Sequence, residues 1–119
     1  MLEVHARSKY LRTSAQKAKL VLDLIRGKKA SEALSILRFT KKAVARDIEK
    51  TLRSAIANAV HVADKNLKRR LDEDDLVVSA CYADQGPSQK RVRPAPMGRA
   101  YQVIKRSAHV TVHLAEKEK

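Results

Sequence analysis

Apolar residues change their spacing along the chain, and each change marks where one kind of element gives way to another. From 2 to 12 they alternate weakly, with Leu2, Val4 and Ala6 on one side and Glu3, His5 and Arg7 on the other. Period-two alternation predicts a half-buried strand there. At Thr13-Ser14-Ala15-Gln16 a hydroxyl precedes Gln by three residues, the spacing of a capping box that satisfies the orphan amides of a first helical turn. Ala18, Val21 and Ile25 then form a stripe with Leu24 beside it, while Lys17, Lys19 and Arg26 stand outside or at its margin. Gly27 supplies the stop, so the first helix is expected over about 14–26. A second, over 31–39, follows from Leu34 and Leu37 with Ala30 and Ala33 extending their stripe. The third is the most regular. From about 41 to 64, Val44, Ile48, Leu52, Ala55, Ile56, Ala59, Val60 and Ala63 recur at spacings of three and four, without Gly or Pro. Such a helix is about 35 Å long.

After the acidic run Asp72-Glu73-Asp74-Asp75 the period returns to two. Leu76, Val78 and Ala80 alternate with Val77, Ser79 and Cys81, and near the end Val110, Val112 and Leu114 alternate with His109, Thr111 and His113. Between these strands lies a stretch containing Gly86, Pro87, Pro94, Pro96 and Gly98. The simplest topology joining them is a β-hairpin whose limbs meet around 90–96, with proline marking where ladder hydrogen bonds stop. Ten residues per limb at about 3.3 Å each reach roughly 30 Å, whereas a domain of this length has a radius of gyration near ~14 Å. The hairpin must therefore project. The expected fold is α+β: three helices packed on a small antiparallel sheet, with a long projecting basic β-hairpin. The expected organisation is one domain over 1–119, with a body of about 1–84 and 101–119 and an arm of about 82–104.

Charge changes this picture more than composition does. The 119 residues carry 26 Lys and Arg against 13 Asp and Glu, a formal net charge of +13, and no acidic residue occurs from Gln85 through Ala115. A compact chain with that self-repulsion is best understood with a polyanion around it, and nucleic acid is the commonest one. The 44% apolar content comes mostly from aliphatic residues, with one Phe and no Trp. Tyr10, Phe39, Tyr82 and Tyr101 form no dense motif, so the pattern favours phosphate and shape recognition over stacking readout. The first residues lack the apolar core of a secretory leader, and no segment approaches the ~20 apolar residues of a membrane helix. A single cysteine, Cys81, excludes an intrachain disulfide and fits a reducing compartment, so a cytoplasmic location is expected.

Several chemically suggestive residues have plainer readings. Strand geometry sets His109 and His113 about 13 Å apart, too far for one metal ion. The acidic run lacks the spaced ligands and turn glycine of a calcium loop and reads as a solvated turn. Cys81 has no base or orienting partner that would make it a nucleophile, and the glycines form no phosphate-cradling loop. Arg46, Lys50 and Lys65 read as readily as a solvated helix face as a contact surface. No catalytic constellation, metal site, cofactor or small-molecule substrate is expected.

The run Gly86-Pro87-Ser88-Gln89-Lys90-Arg91-Val92-Arg93-Pro94, then Gly98-Arg99-Ala100 and Lys105-Arg106-Ser107-Ala108-His109-Val110-Thr111-Val112, resembles the signature region of ribosomal large-subunit protein family twenty-two. Upstream, Ser14-Ala15-Gln16-Lys17-Ala18, Asp23-Leu24-Ile25-Arg26-Gly27-Lys28 and Ser54-Ala55-Ile56-Ala57-Asn58-Ala59 are similar to its bacterial members, so the resemblance runs along almost the whole chain in consistent order. One departure lies before Gly98, where Ala95 and Pro96 stand in place of a basic and then a small residue. The resemblance implies a body on the outer face of the large subunit and a hairpin passing inward through ribosomal RNA, its tip lining the nascent-chain exit tunnel. It also implies a role in subunit assembly, neighbouring ribosomal proteins and the nascent polypeptide as partners, and a link between hairpin changes and macrolide susceptibility. Mapped by motif, the tip is Gln89, Lys90, Arg91, Val92, Arg93, Pro94, Ala95, Pro96 and Met97. The candidate RNA-binding residues are Arg7, Lys9, Arg12, Lys17, Lys19, Arg26, Lys28 and Lys29 on the body, and Lys90, Arg91, Arg93, Arg99, Lys105 and Arg106 on the arm. The competing function is a free architectural DNA-binding protein that lays a basic β-ribbon in a groove.

Overall fold

The computed structural model describes residues 3–66, 75–94, 96–98 and 100–116. Its elements in chain order are β1 (Glu3–Leu11), α1 (Ala15–Ile25), α2 (Ala30–Phe39), α3 (Val44–Asn66), β2 (Leu76–Gln85), β3 (Gln89–Pro94), a 3₁₀ turn (Pro96–Gly98), β4 (Ala100–Lys105) and β5 (Ala108–Glu116). Three strands form an antiparallel sheet in the order β1-β5-β2, and β3 and β4 form a separate two-stranded ladder. The fold is thus α+β, with three helices on a small antiparallel sheet and a hairpin. Among the described residues no helix is long and apolar enough to cross a membrane.

β5 takes the centre of the sheet because its apolar face is continuous: Val110, Val112 and Leu114 are all fully buried. They meet Val21, Leu22 and Ile25 of α1, Ile48, Leu52 and Ala55 of α3, and Leu76 and Val78 of β2 in one aliphatic cluster. Each fully buried Val, Leu or Ile contributes about 1.5–3 kcal/mol of transfer free energy, so this cluster supplies most of the drive to fold. Alanines at 18, 33, 55, 59 and 63 are also fully buried, and their small side chains let helix and sheet backbones approach closely. Two polar ties fix α3 on β1. Thr51 Oγ1 donates to the Asp47 carbonyl and is hydrogen-bonded with Ser8 Oγ, and Asn58 Nδ2 donates to the His5 carbonyl at 3.2 Å.

Local details refine the expectations from sequence. The cap of α1 is Ser14, whose hydroxyl accepts from the Lys17 amide at 3.3 Å, so the Thr13–Gln16 pairing of a capping box is not the one formed. In α1 the buried stripe is Ala18, Val21, Leu22 and Ile25, while Leu24 is half exposed. At roughly 100° per residue Leu22 stands about 40° to one side of the arc of the other three and Leu24 about 60° to the other, so the buried face is turned toward Leu22. Val60 of α3 is likewise exposed rather than buried. In β2 the expected alternation breaks at Ser79: Val78 pairs with Leu114, but Ala80 pairs with His113, so two residues face one. This β-bulge shifts the phase, and Cys81 is buried where alternation had placed Ala80 inward. Gly27 ends α1 with φ +79° and donates its amide to the Val78 carbonyl at 3.0 Å, which docks the α1–α2 connection on β2. The acidic residues at 72–74 lie outside the described residues.

The hairpin stands off the body. The molecule measures 67 × 26 × 16 Å with a radius of gyration of 17.7 Å, against about 13.5 Å for a compact chain of this length. Its ladder has six paired positions, from Gln89 opposite Lys105 to Pro94 opposite Ala100, and so runs about 20 Å rather than the 30 Å expected. Residues 82–84, where the expected body and arm ranges overlap, and Gln85, expected in the arm, pair with Thr111 through Ala108 of β5 in the body sheet. Every residue of β3 is exposed.

Two measurements check this packing. Leu52→Ala is expected to lower the urea-unfolding free energy by about 2–5 kcal/mol, because it removes a fully buried side chain and leaves a cavity. The second concerns Cys81, whose thiol burial pushes above its ordinary 9.0 while the Arg26 guanidinium opposes the shift only in part. A raised folded pKa contributes stability that is fully present below pH 9.0 and is lost as pH climbs through the folded value. The Tm advantage of the wild-type chain over Cys81→Ala should therefore shrink as pH rises above 9.0; an advantage constant over that range refutes the assignment.

Candidate nucleic-acid interface

The site is built where the arm leaves the body. β2 and β5 separate after Gln85 pairs with Ala108, and the chain crosses through Gly86, Pro87 and Ser88 into β3. Gly86 donates its amide to the Ser107 carbonyl at 2.9 Å, and Ser107 Oγ donates to the Pro87 carbonyl at 2.6 Å. A Cβ on Gly86 would stand 2.6 Å from Ser107 Oγ and 3.2 Å from the His109 ring. Glycine here is a matter of close approach. Any side chain would press the Ser107 hydroxyl away from the carbonyl that it holds.

Between this root and the start of α1 lies an open groove of about 820 Å³. Arg12 and Lys17 reach it from the body, Arg91 from β3, and Lys105 and Arg106 from the return limb; Thr13, Ser14, Gln89 and Ser107 add hydrogen-bonding groups, and Tyr10, Pro87 and Ile104 add apolar surface. Among the described residues no acidic side chain lines it. Five cations facing one cleft without a counter-charge focus a positive potential suited to a phosphate backbone, and Arg can bind such oxygens in bidentate fashion.

The other candidate cations have different surroundings. Arg7 forms an ion pair with Asp84 at 3.6 Å. Arg26 bonds Asp23, and its second guanidinium nitrogen donates to the Cys81 carbonyl at 2.8 Å, tying the end of α1 to β2. The Asp23 hydrogen bond, with smaller help from Cys81, raises the pKa of Arg26 above the ordinary arginine value. Lys9, Lys19, Lys28 and Lys29 are exposed on the body, and Lys90 and Arg93 are exposed along β3. Arg99 and Ala95 lie outside the described residues. Among the described candidates, the structure thus gathers Arg12, Lys17, Arg91, Lys105 and Arg106 and leaves the others dispersed. Of the residues mapped to the tip, Gln89 lines the root groove, and Lys90, Arg91, Val92, Arg93 and Pro94 form a paired limb because the ladder extends almost to the turn. The turn itself is Pro96–Gly98, with Met97 at φ 63° and almost fully exposed.

Sequence reasoning missed Tyr10. It has φ 61°, in the left-handed region that bulky residues rarely occupy, at the register shift between Ser8 and Leu11. Its amide donates to His109 Nδ1 at 3.0 Å, and its ring meets the His109 ring edge-on, with centroids 4.9 Å apart. No Gly or Asn marks the position, so the sequence offers no signal for that backbone. The histidines expected on one face of β5 each have aromatic company: His113 lies 5.4 Å from His5 and 5.8 Å from Tyr82, centroid to centroid. Among the described residues no group of three or more His, Cys, Asp or Glu side chains converges as a metal site would require.

Comparison with known proteins yields one family. The model of the family described as ribosomal protein L22p/L17e matches residues 6–115. The chain is 50% identical over 117 residues to a protein of Solibacter usitatus (strain Ellin6076) named large ribosomal subunit protein uL22, with 98% of this chain and 99% of that one covered. It is 51% identical over 116 residues to the protein of the same name from Syntrophobacter fumaroxidans (strain DSM 10017 / MPOB), covering 98% and 100%.

Proposed function

The chain belongs to the family of ribosomal protein L22p/L17e, a structural and non-enzymatic constituent of the large ribosomal subunit in the cytoplasm, and from that premise we propose how its parts serve the subunit. The body and the root of the arm bind large-subunit ribosomal RNA, this binding helps the subunit assemble, and the arm carries its turn to the nascent-chain exit tunnel, where the emerging polypeptide passes. Neighbouring ribosomal proteins complete the surroundings.

The observation that carries this reading is the charge of the arm and its root groove: from Gln85 through Ala115 there is no acidic residue, and within that stretch β3 and β4 form a ladder whose β3 limb is exposed throughout. An isolated two-stranded ribbon is marginal in water, and this one gains order by inserting into a partner of opposite charge. Val92 and Met97 are 74% and 96% exposed, in keeping with an arm enclosed by its surroundings once bound. The dispersed cations of the body fit positioning contacts to phosphate rather than base readout. A free DNA-binding role has no observation of its own in its favour.

Sedimentation tests the reading. Tagged protein from a lysate run through a sucrose gradient at moderate salt is expected with the large subunit and translating ribosomes, and to stay there after nuclease treatment that removes free nucleic acid. Recovery only as free protein or on DNA defeats it. Replacing Lys90, Arg91, Arg93 and Arg99 together by Ala should weaken binding to large-subunit RNA and flatten its salt dependence by about 0.7–0.9 log units per lost phosphate contact. Circular dichroism should show the helices unchanged; melting of the body would make these residues structural instead.

A further inference from the structure

We propose that Tyr10 is a stacking platform for one unstacked base of ribosomal RNA, seated in the root groove with its flanking phosphates on Arg12, Lys17 and Arg106. The inference rests on the RNA-binding reading above and adds a mode of recognition that distributed cations do not supply.

Three independent features meet at this residue. The first is backbone conformation: a tyrosine holds φ 61° where glycine would sit without steric cost. Left-handed non-glycine residues persist only where surrounding structure over-determines them, and here the amide bond to His109 Nδ1 and the edge-on ring contact do so. The register shift in β1 explains why the backbone turns at this point; it does not explain why an aromatic side chain occupies the turn. The second is exposure. Tyr10 is 64% exposed in a chain whose core is aliphatic, so packing on His109 uses only a part of the ring. The third is the neighbourhood, because the ring borders the groove that Arg12 and Lys17 share with the arm cations and that, among the described residues, no acidic side chain enters.

Charge selects the occupant. A protein segment would need to be strongly acidic to sit among these cations, whereas a nucleotide brings a flat apolar base for the ring and anionic oxygens for the cations in one unit. At about 820 Å³ the groove also lies within the range of sites that hold small organic ligands. Stacking of this kind tolerates any base, since each has a π-face. The base must be unpaired, because a duplex would keep its faces covered.

The full-length chain and deproteinised large-subunit RNA suffice for the test. Tyr10→Gly removes the ring and places at φ 61° the residue best suited to it, and an unchanged circular dichroism spectrum is expected to show the fold retained. Tyr10→Phe keeps the ring. Affinity measured by filter binding over a series of salt concentrations should fall about 5- to 150-fold for Tyr10→Gly and stay near wild type for Tyr10→Phe. The slope of log affinity against log salt should be unchanged in both, because stacking releases no counterions. Wild-type affinity in Tyr10→Gly overturns the proposal and leaves the RNA-binding role intact. A flattened slope in Tyr10→Gly also overturns it, since the residue would then act through phosphate contacts. If the wild-type chain fails to prefer large-subunit RNA over unrelated RNA, the RNA-binding role falls and this inference with it.

Discussion

The ladder between β2 and β5 is the constraint on which the rest depends. It sets the core, because β5 can bury Val110, Val112 and Leu114 only while β1 and β2 flank it. It also sets the arm, because the hairpin is the excursion between these two strands and leaves the sheet where Gln85 pairs with Ala108. A ribbon with no core of its own thus takes its direction from hydrophobic burial elsewhere. The bulge at Ser79 belongs to the same device. It turns Cys81 into the core, where the thiol donates to the Leu22 carbonyl and the Cys81 carbonyl accepts from Arg26, so one short segment of β2 fastens α1 to the sheet.

Electrostatics works against this architecture until a partner arrives. Arg12 and Lys17 of the body face Arg91, Lys105 and Arg106 of the arm across the groove. Asp84, whose carboxylate pairs with Arg7, does not line that groove. Like charges around one cleft raise the free energy of the free chain, since salt screens only beyond about 8–10 Å. A polyanion reverses the sign of the same arrangement. Under the proposed RNA binding, the same groove would hold arm and body together and couple ordering of the hairpin to binding.

Most of the fold was legible because its signals are periodic. The eight apolar positions of α3 and the alternation of β5 each repeat often enough to outweigh local exceptions, and the absence of acid from Gln85 through Ala115 identifies the arm from composition alone. What sequence missed depends on single residues. Leu22 and Leu24 are the same residue type two positions apart, and only the azimuth of the finished helix separates them. The extra residue at Ser79 has no marker, so alternation alone assigns Ala80 and Cys81 to the wrong sides. The interface was legible as a list of cations but not as a groove. Arg12 and Arg106 are distant in sequence, and it is the return of β5 beside β1 that places them together.

Contacts to phosphate and a stacked base divide the work of recognition by their different responses to salt. Each phosphate contact derives its strength from released counterions and weakens steadily as ionic strength rises. Many such contacts hold an RNA strongly but discriminate poorly among similar backbones, so alone they leave the root free to slide. A ring that accepts one unpaired base adds a term that salt scarcely touches and that exists at only one place along the strand. Positioned at the arm's root, such a term fixes register where leverage is greatest: a small displacement there is multiplied along the ladder before it reaches Met97. An arm with no core of its own therefore needs its most specific contact at its base, and Tyr10 is, among the described residues, the exposed aromatic side chain that lines the groove at that point.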